Sequence, residues 1–126
     1  MTEGRNVKVD ILVPPTLGLP EIRFADVVDI DFIPVMPLFD LIIMKTQGWW
    51  DHRNSDRAGF RAKESADVAD IYALLDCADA EKLSYYDEID QSRHEEEFID
   101  NALYLVQRFA RTYRTYRRWK RLGFPL

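Results

Sequence analysis

IPVMPLFDLIIMKTQGWW, residues 33 to 50, decides the fold. Its first residues are bound to extended backbone, because a residue before proline is pushed out of the helical region. Pro37 then suits the first turn of a helix. Leu38, Leu41, Ile42, Lys45 and Trp49 recur at helical spacing, which predicts a helix from Pro37 to about Trp50. Its apolar surface is broad, as expected of a helix buried on several sides. Upstream, Val7, Val9, Ile11 and Val13 alternate through VKVDILV and predict a strand ended by Pro14 and Pro15. Thr16 to Pro20 is turn-rich, and Ile22 to Phe32 predicts one or two more strands.

Downstream, Asp51 to Arg61 is a charged loop. Ser65 is placed to cap a helix running to about Cys77, with Val68, Ile71, Leu74 and Leu75 as its core face. Ala78 to Gln91 reads as irregular, with a short helical turn near Tyr86. A single long helix is expected from about Arg93 to Arg121. Its glutamates at the start and arginines at the end both suit the helix macrodipole, and Gly123 and Pro125 stop it. Strands first and helices after give an α+β domain: a small N-terminal sheet of two to three strands packed by a three-helix C-terminal region.

The apolar share of 47%, with 13% aromatics over 126 residues, supports one packed core and excludes general disorder. A single cysteine, Cys77, excludes an internal disulfide and a cysteine zinc cluster, and its expected place is the core. No apolar run reaches the roughly 20 residues of a spanning helix, and MTEGRNVKVD has no signal-peptide core. The expectation is an intracellular, cytoplasmic protein without a membrane partner. Net charge is −5, unevenly spread. Residues 107 to 126 carry seven basic residues and no acid, leaving ten basic and 22 acidic residues before them, a net of −12.

Five charged residues of the helical half stand out. Lys45 ends the apolar helix, Arg53 lies in DHR, and Lys63, Asp67 and Asp70 lie in RAKESADVADI. Asp67 and Asp70 share a helix face. Two cations could hold phosphates and the acids could orient them; equally, the five could form an ion-pair network that locks the helices to the sheet.

The order of VKVDIL, an apolar helix ending in lysine, a charged loop with arginine, and K-x-x-x-D-x-x-D-I before Leu74-Leu75 resembles the minimal nucleotidyltransferases. These include the bacterial abortive-infection toxins and uncharacterised bacterial and fungal relatives. The resemblance covers about Val7 to Leu75. It implies that Asp10 is a catalytic and metal-binding carboxylate, that Lys45 and Lys63 contact phosphates beside Arg53, and that Asp67 and Asp70 line the nucleotide site. It also implies Mg2+ as cofactor for an active enzyme, which uses two metal ions and three carboxylates. The family's Gly-Ser turn and first D-x-D strand have no counterpart in the expected order. Asp29-Ile30-Asp31 imitates the D-x-D strand and Gly18 precedes it by eleven residues, but Leu19 stands in the serine's place, Pro20 breaks the turn, and the motif follows VKVDIL. The plainer reading puts Asp29 and Asp31 on an exposed strand.

Residues 1 to 126 are thus expected to be one nucleotidyltransferase-like domain lacking its N-terminal catalytic part: a divergent protein, inactive as the chain stands. The alternative is a non-enzymatic module that meets nucleic acid or a protein through its basic C-terminal helix. Arg108, Arg111, Arg114 and Arg117 step by three, beside a stripe of Ala110, Tyr113, Tyr116 and Trp119. Arginine with interleaved aromatics is one mark of nucleic-acid contact, and equally the mark of a packing face with a solvated edge. His52 is expected to be solvated and His94 to lie near the start of the last helix.

Overall fold

The computed structural model describes residues 22–90 and 94–126. Asp10 and the expected strand Val7–Val13 lie outside these residues. The described chain is α+β: a two-stranded antiparallel hairpin followed by helices. A 3-10 turn at Phe24–Asp26 leads into β1 (Val28–Ile30), which pairs with β2 (Ile33–Val35) in the register Val28↔Val35, Asp29↔Pro34 and Ile30↔Ile33. Asp31 and Phe32 make the turn with φ of 50° and 66°. Both central residues have positive φ, as in the turn whose twist matches a two-residue hairpin. A bulky side chain is uncommon there, and Phe32 is fully exposed. The hairpin's apolar residues Val28, Ile30 and Ile33 are exposed too, so the helices cover little of it.

Three long helices form the body: α1 (Leu38–Arg53), α3 (Glu64–Ala80) and α5 (Glu96–Tyr113). Short helices α2 (Ala58–Arg61), α4 (Tyr85–Asp90) and α6 (Tyr116–Arg121) complete the set. Pro37 sits at the N-cap of α1 with φ of −52°, the proline start anticipated from sequence. Helix α1 is the central element and packs against both α3 and α5. Two expected boundaries move. The expected loop from Asp51 to Arg61 is helical at its beginning and again over α2. Helix α3 starts at Glu64 and has no side-chain cap, so Ser65 lies inside it rather than capping it.

The larger correction is at the C-terminus. The single helix expected from Arg93 to Arg121 breaks after Tyr113. Arg114 takes the left-handed conformation (φ 55°, ψ 45°), and the Thr115 N–H bonds back to the Ala110 carbonyl at 3.0 Å. The reason is length. A helix rises about 1.5 Å per residue, so the expected span would run roughly 43 Å, against roughly 24 Å for the 16 residues of α1. Its last turns would overhang the body. Turning at Arg114 brings Trp119 back into the core, where its Nε1–H donates to Thr115 Oγ1 at 3.0 Å.

The core is an aromatic circuit that begins and ends on α1. Trp49 meets Phe109 edge-on at 5.1 Å, Phe109 meets Trp119 at 5.9 Å, and Trp119 meets Phe124 at 5.2 Å. Phe124 then stacks on Phe39 at 6.0 Å. Ile42, Ile71, Leu75 and Leu105 fill the space between, as their spacing predicts, whereas Leu38, Leu41, Leu74 and Phe98 are only half-buried. Cys77, expected in the core, is exposed. No described helix is long and apolar enough to cross a membrane.

Two stability measurements check this. Phe109→Ala should cost about 3–5 kcal/mol in urea unfolding, and Leu41→Ala or Leu74→Ala clearly less, because a half-buried leucine leaves a smaller void. Arg114→Gly should be neutral to stabilising by up to about 1 kcal/mol. It relieves a left-handed penalty of about 1–2 kcal/mol against a glycine entropy cost of about 0.5–1 kcal/mol.

Candidate functional site

Asp67 is a buried carboxylate on the side of α3 that faces α1. A carboxylate there must be answered by donors. On α1, residues 45, 49 and 52 share one face, and that face supplies them. Lys45 Nζ lies 3.5 Å from Asp67 Oδ1 and 2.8 Å from Asp70 Oδ2. His52 Nδ1 meets Asp67 Oδ2 at 2.6 Å. Burial alone would lower the Lys45 pKa, but the Asp70 hydrogen bond and the charges of Asp70 and Asp67 outweigh it and hold the ammonium above its ordinary value. His52 lies parallel to Phe60 of α2 at 5.8 Å, which seats α2 against the end of α1.

Beside this cluster runs a second network. The Trp49 Nε1–H donates to the Tyr113 hydroxyl at 3.0 Å, and that hydroxyl donates to Glu64 Oε1 at 2.6 Å. Arg53 Nη1 also reaches Glu64 Oε1, while its guanidinium lies over the Trp49 ring at 5.8 Å. The Tyr113 hydrogen bond is the main reason the Glu64 carboxyl is held below the ordinary glutamate range. Burial, followed by the same bond to Glu64, raises the Tyr113 phenol.

The helical site residues read from sequence therefore divide. Lys45, Asp67 and Asp70 come together as expected. Arg53 sits two turns along α1 and is engaged by Glu64. Lys63 precedes α3, and its ammonium lies over the Phe60 ring at 5.1 Å. It makes no ion pair with Asp67 or Asp70. The D-x-D pair is not a two-carboxylate strand: Asp29 lies on β1 and Asp31 in the hairpin turn, both exposed. Among the described residues no three histidine, cysteine, aspartate or glutamate side chains gather as a metal site. Asp67 and Asp70 are held by Lys45 and His52.

Sequence reading missed the histidines. His52, expected in solvent, is the second donor to Asp67. The His94 imidazole is 3% exposed, bonds through Nε2 to the buried Asp40 of α1, and lies between Phe39 (5.3 Å) and Phe98 (5.1 Å). Its Nδ1 has no hydrogen-bond partner among the described residues. One signal was present: Asp40 stands alone in the apolar run LFDLII, where an acid needs a buried partner.

The C-terminal cations divide as well. Arg118 Nη2 donates to Asp76 at 2.6 Å and Asp79 at 3.1 Å, and Arg121 lies 3.9 Å from Asp79. Burial would lower the Arg118 pKa, but the two acids reverse it and raise it. Arg108, Arg111, Arg114 and Arg117 make no ion pair with any described residue, and all four are exposed. They do not form one stripe, because the turn at Arg114 separates the first two from Arg117. Arg108 instead lies over the Tyr104 ring at 5.0 Å and near the Trp50 ring at 6.0 Å. Of the aromatics expected beside them, Trp119 is fully buried, and Tyr113 and Tyr116 are half-buried. They are packing residues.

The chain matches no known protein family, no curated protein and no solved structure.

The two buried acids are expected to dominate mutational cost. Asp40→Ala and Asp67→Ala should each cost about 2–3 kcal/mol, because each strands donors in poor solvent. Asp70→Ala, 58% exposed at its side chain, should cost under about 1 kcal/mol. Glu64 sets an acid limb. Its folded pKa is lowered, so its contribution is present above the unfolded value and is lost as pH falls through the folded one. Tyr113→Phe removes the main cause of that shift. An NMR titration of Glu64 in this variant should move its midpoint back toward the ordinary value of 4.5.

Proposed function

We propose that this chain is a divergent nucleotidyltransferase-like domain that serves as a binding module for nucleic acid rather than as a transferase. The contact surface is the basic end of α5 with the turn and helix that follow. The observation that carries this reading is how charge is spent. Lys45, Arg53, His52, Arg118 and Arg121 are each matched by an acid of the body. Arg108, Arg111, Arg114 and Arg117 are exposed and without an ion pair among the described residues. Four exposed arginines in the C-terminal part of an acidic molecule, without an ion pair among the described residues, suit a polyanion.

A second reading, an active transferase, keeps one specific support: Lys45 does meet Asp67 and Asp70, the residues the resemblance places beside a nucleotide. Those groups neutralise one another, so a nucleotide would have to displace an ion pair before it met Lys45. Labelled nucleoside triphosphates with magnesium or manganese separate the readings. The expected outcome is no labelled product; product that disappears in Asp10→Ala would establish the transferase.

For the binding module the test is fluorescence anisotropy with labelled RNA or DNA across a salt series. Affinity should fall steeply with salt, with a log–log slope near −0.7 for each neutralised phosphate of a single strand. Arg108→Ala/Arg111→Ala should flatten that slope by about 1.4 and leave stability within about 0.5 kcal/mol. Arg118→Ala should do the reverse, lowering stability with the slope unchanged. Absence of binding at low salt would retire the reading.

A further inference from the structure

We infer that Trp50, Tyr104 and Arg108 form a platform for an unpaired base, so that the nucleic acid this module takes is single-stranded. The inference rests on the binding-module reading and narrows its partner.

Tyr104 lies on the outer side of α5 and is 44% exposed, although it is one of the larger apolar surfaces of the helix. Trp50 of α1 meets it edge-on, with ring centroids 5.9 Å apart and planes at 83°. That contact helps to hold the tyrosine ring, which stays 44% exposed. The Arg108 guanidinium lies 5.0 Å from the Tyr104 centroid and makes no ion pair among the described residues. A ring held by Trp50, with a guanidinium over it and much of its surface still exposed, offers stacking area and a positive charge together. Base–aromatic stacking and guanidinium contact are the two means by which proteins hold single strands without reading sequence.

The flanks agree with this. On the N-terminal side, Asn101 Nδ2 donates to Gln47 Oε1 at 2.9 Å, and Gln47 Nε2 donates to Asp51 Oδ1 at 3.0 Å. This chain of amides occupies Asp51 of α1. On the C-terminal side, Arg111 lies one turn beyond Arg108 with no described partner. A base on Tyr104 would therefore place the next phosphates toward the free arginines. A duplex cannot use the platform, because its bases are already stacked inside the helix. A single strand can present one.

The test uses the full chain and a short oligothymidylate, the same sequence as a duplex, and an oligonucleotide carrying 2-aminopurine. The single strand should bind more tightly than the duplex, and 2-aminopurine fluorescence should change on binding. Tyr104→Ala should weaken single-strand binding by about tenfold and abolish that change, since one stacked base accounts for roughly that factor. Tyr104→Phe should restore both. Arg111→Ala should weaken single strand and duplex to a similar extent. Duplex bound as tightly as single strand, or Tyr104→Ala weakening both equally, would overturn the stacking platform while leaving the binding module intact. Binding of neither form overturns both.

Discussion

Trp49 is fully buried, yet its indole carries an N–H that has to be answered. The answer organises the molecule. Tyr113, at the last turn of α5, accepts through its hydroxyl oxygen and donates its own O–H to Glu64, at the first turn of α3. Three helices that meet at one end are thus tied by two hydrogen bonds. Tyr113 must also be the final residue of α5: one turn further and the helix would leave the body behind. The left-handed Arg114, the turn at Thr115 and the return of Trp119 to Phe109 all follow from where Tyr113 has to stop.

The same logic governs the acids. Asp40 and Asp67 are buried at opposite ends of the α1 contact surface, and each takes a histidine far away in sequence: His94 for Asp40, His52 for Asp67. Pairs of this kind specify a packing more than they add net stability, since removing two ionisable groups from water offsets much of their attraction. Each fixes a short element that hydrophobic spacing alone would leave loose. His52 stacks on Phe60 and so seats α2. His94 lies between Phe39 and Phe98 and so seats the start of α5. The cluster that resembles a nucleotide site is, in its present geometry, part of this seating.

Much of the helical body was legible in the sequence because its signals are local. Pro37 marks the start of α1, the spacing of Ile42, Trp49, Ile71, Leu75, Leu105 and Phe109 marks the core faces, and Gly123 marks the end, with φ of 92°. Of the candidate site, the meeting of Lys45 with Asp67 and Asp70 was legible for the same reason: each lies on a predictable face of a predictable helix. What was not legible is long-range or runs against local preference. Arg114 is no glycine, and nothing near it in sequence announces a left-handed turn; the demand comes from Trp119. His52 and His94 find their acids only once α1, α3 and α5 are assembled. Cys77 looks like a core residue by composition, but its position on α3 turns it to solvent. The D-x-D motif fails because a hairpin turn passes through its second carboxylate.

Charge closes the argument. The fold uses acids of α1 and α3 to answer the histidines, Lys45, Arg53, Arg118 and Arg121, so a strongly acidic body still has well-paired contact surfaces. The helix macrodipole favours arginine near the end of α5, but that effect is small, fades within a turn and does not reach Arg117 on α6. Nor does packing require these side chains, since Arg108, Arg111, Arg114 and Arg117 are all exposed. Neither the macrodipole, nor packing, nor ion pairing among the described residues accounts for these four arginines. Beside Arg108, whose guanidinium lies over its ring, Tyr104 is held by Trp50 and remains 44% exposed. Tyr104, Arg108 and Arg111 lie on α5, while the network of Lys45, His52 and Asp67 lies between α1 and α3. Trp50 joins the two regions, since it meets Tyr104 on one side and packs on the buried Trp49 on the other.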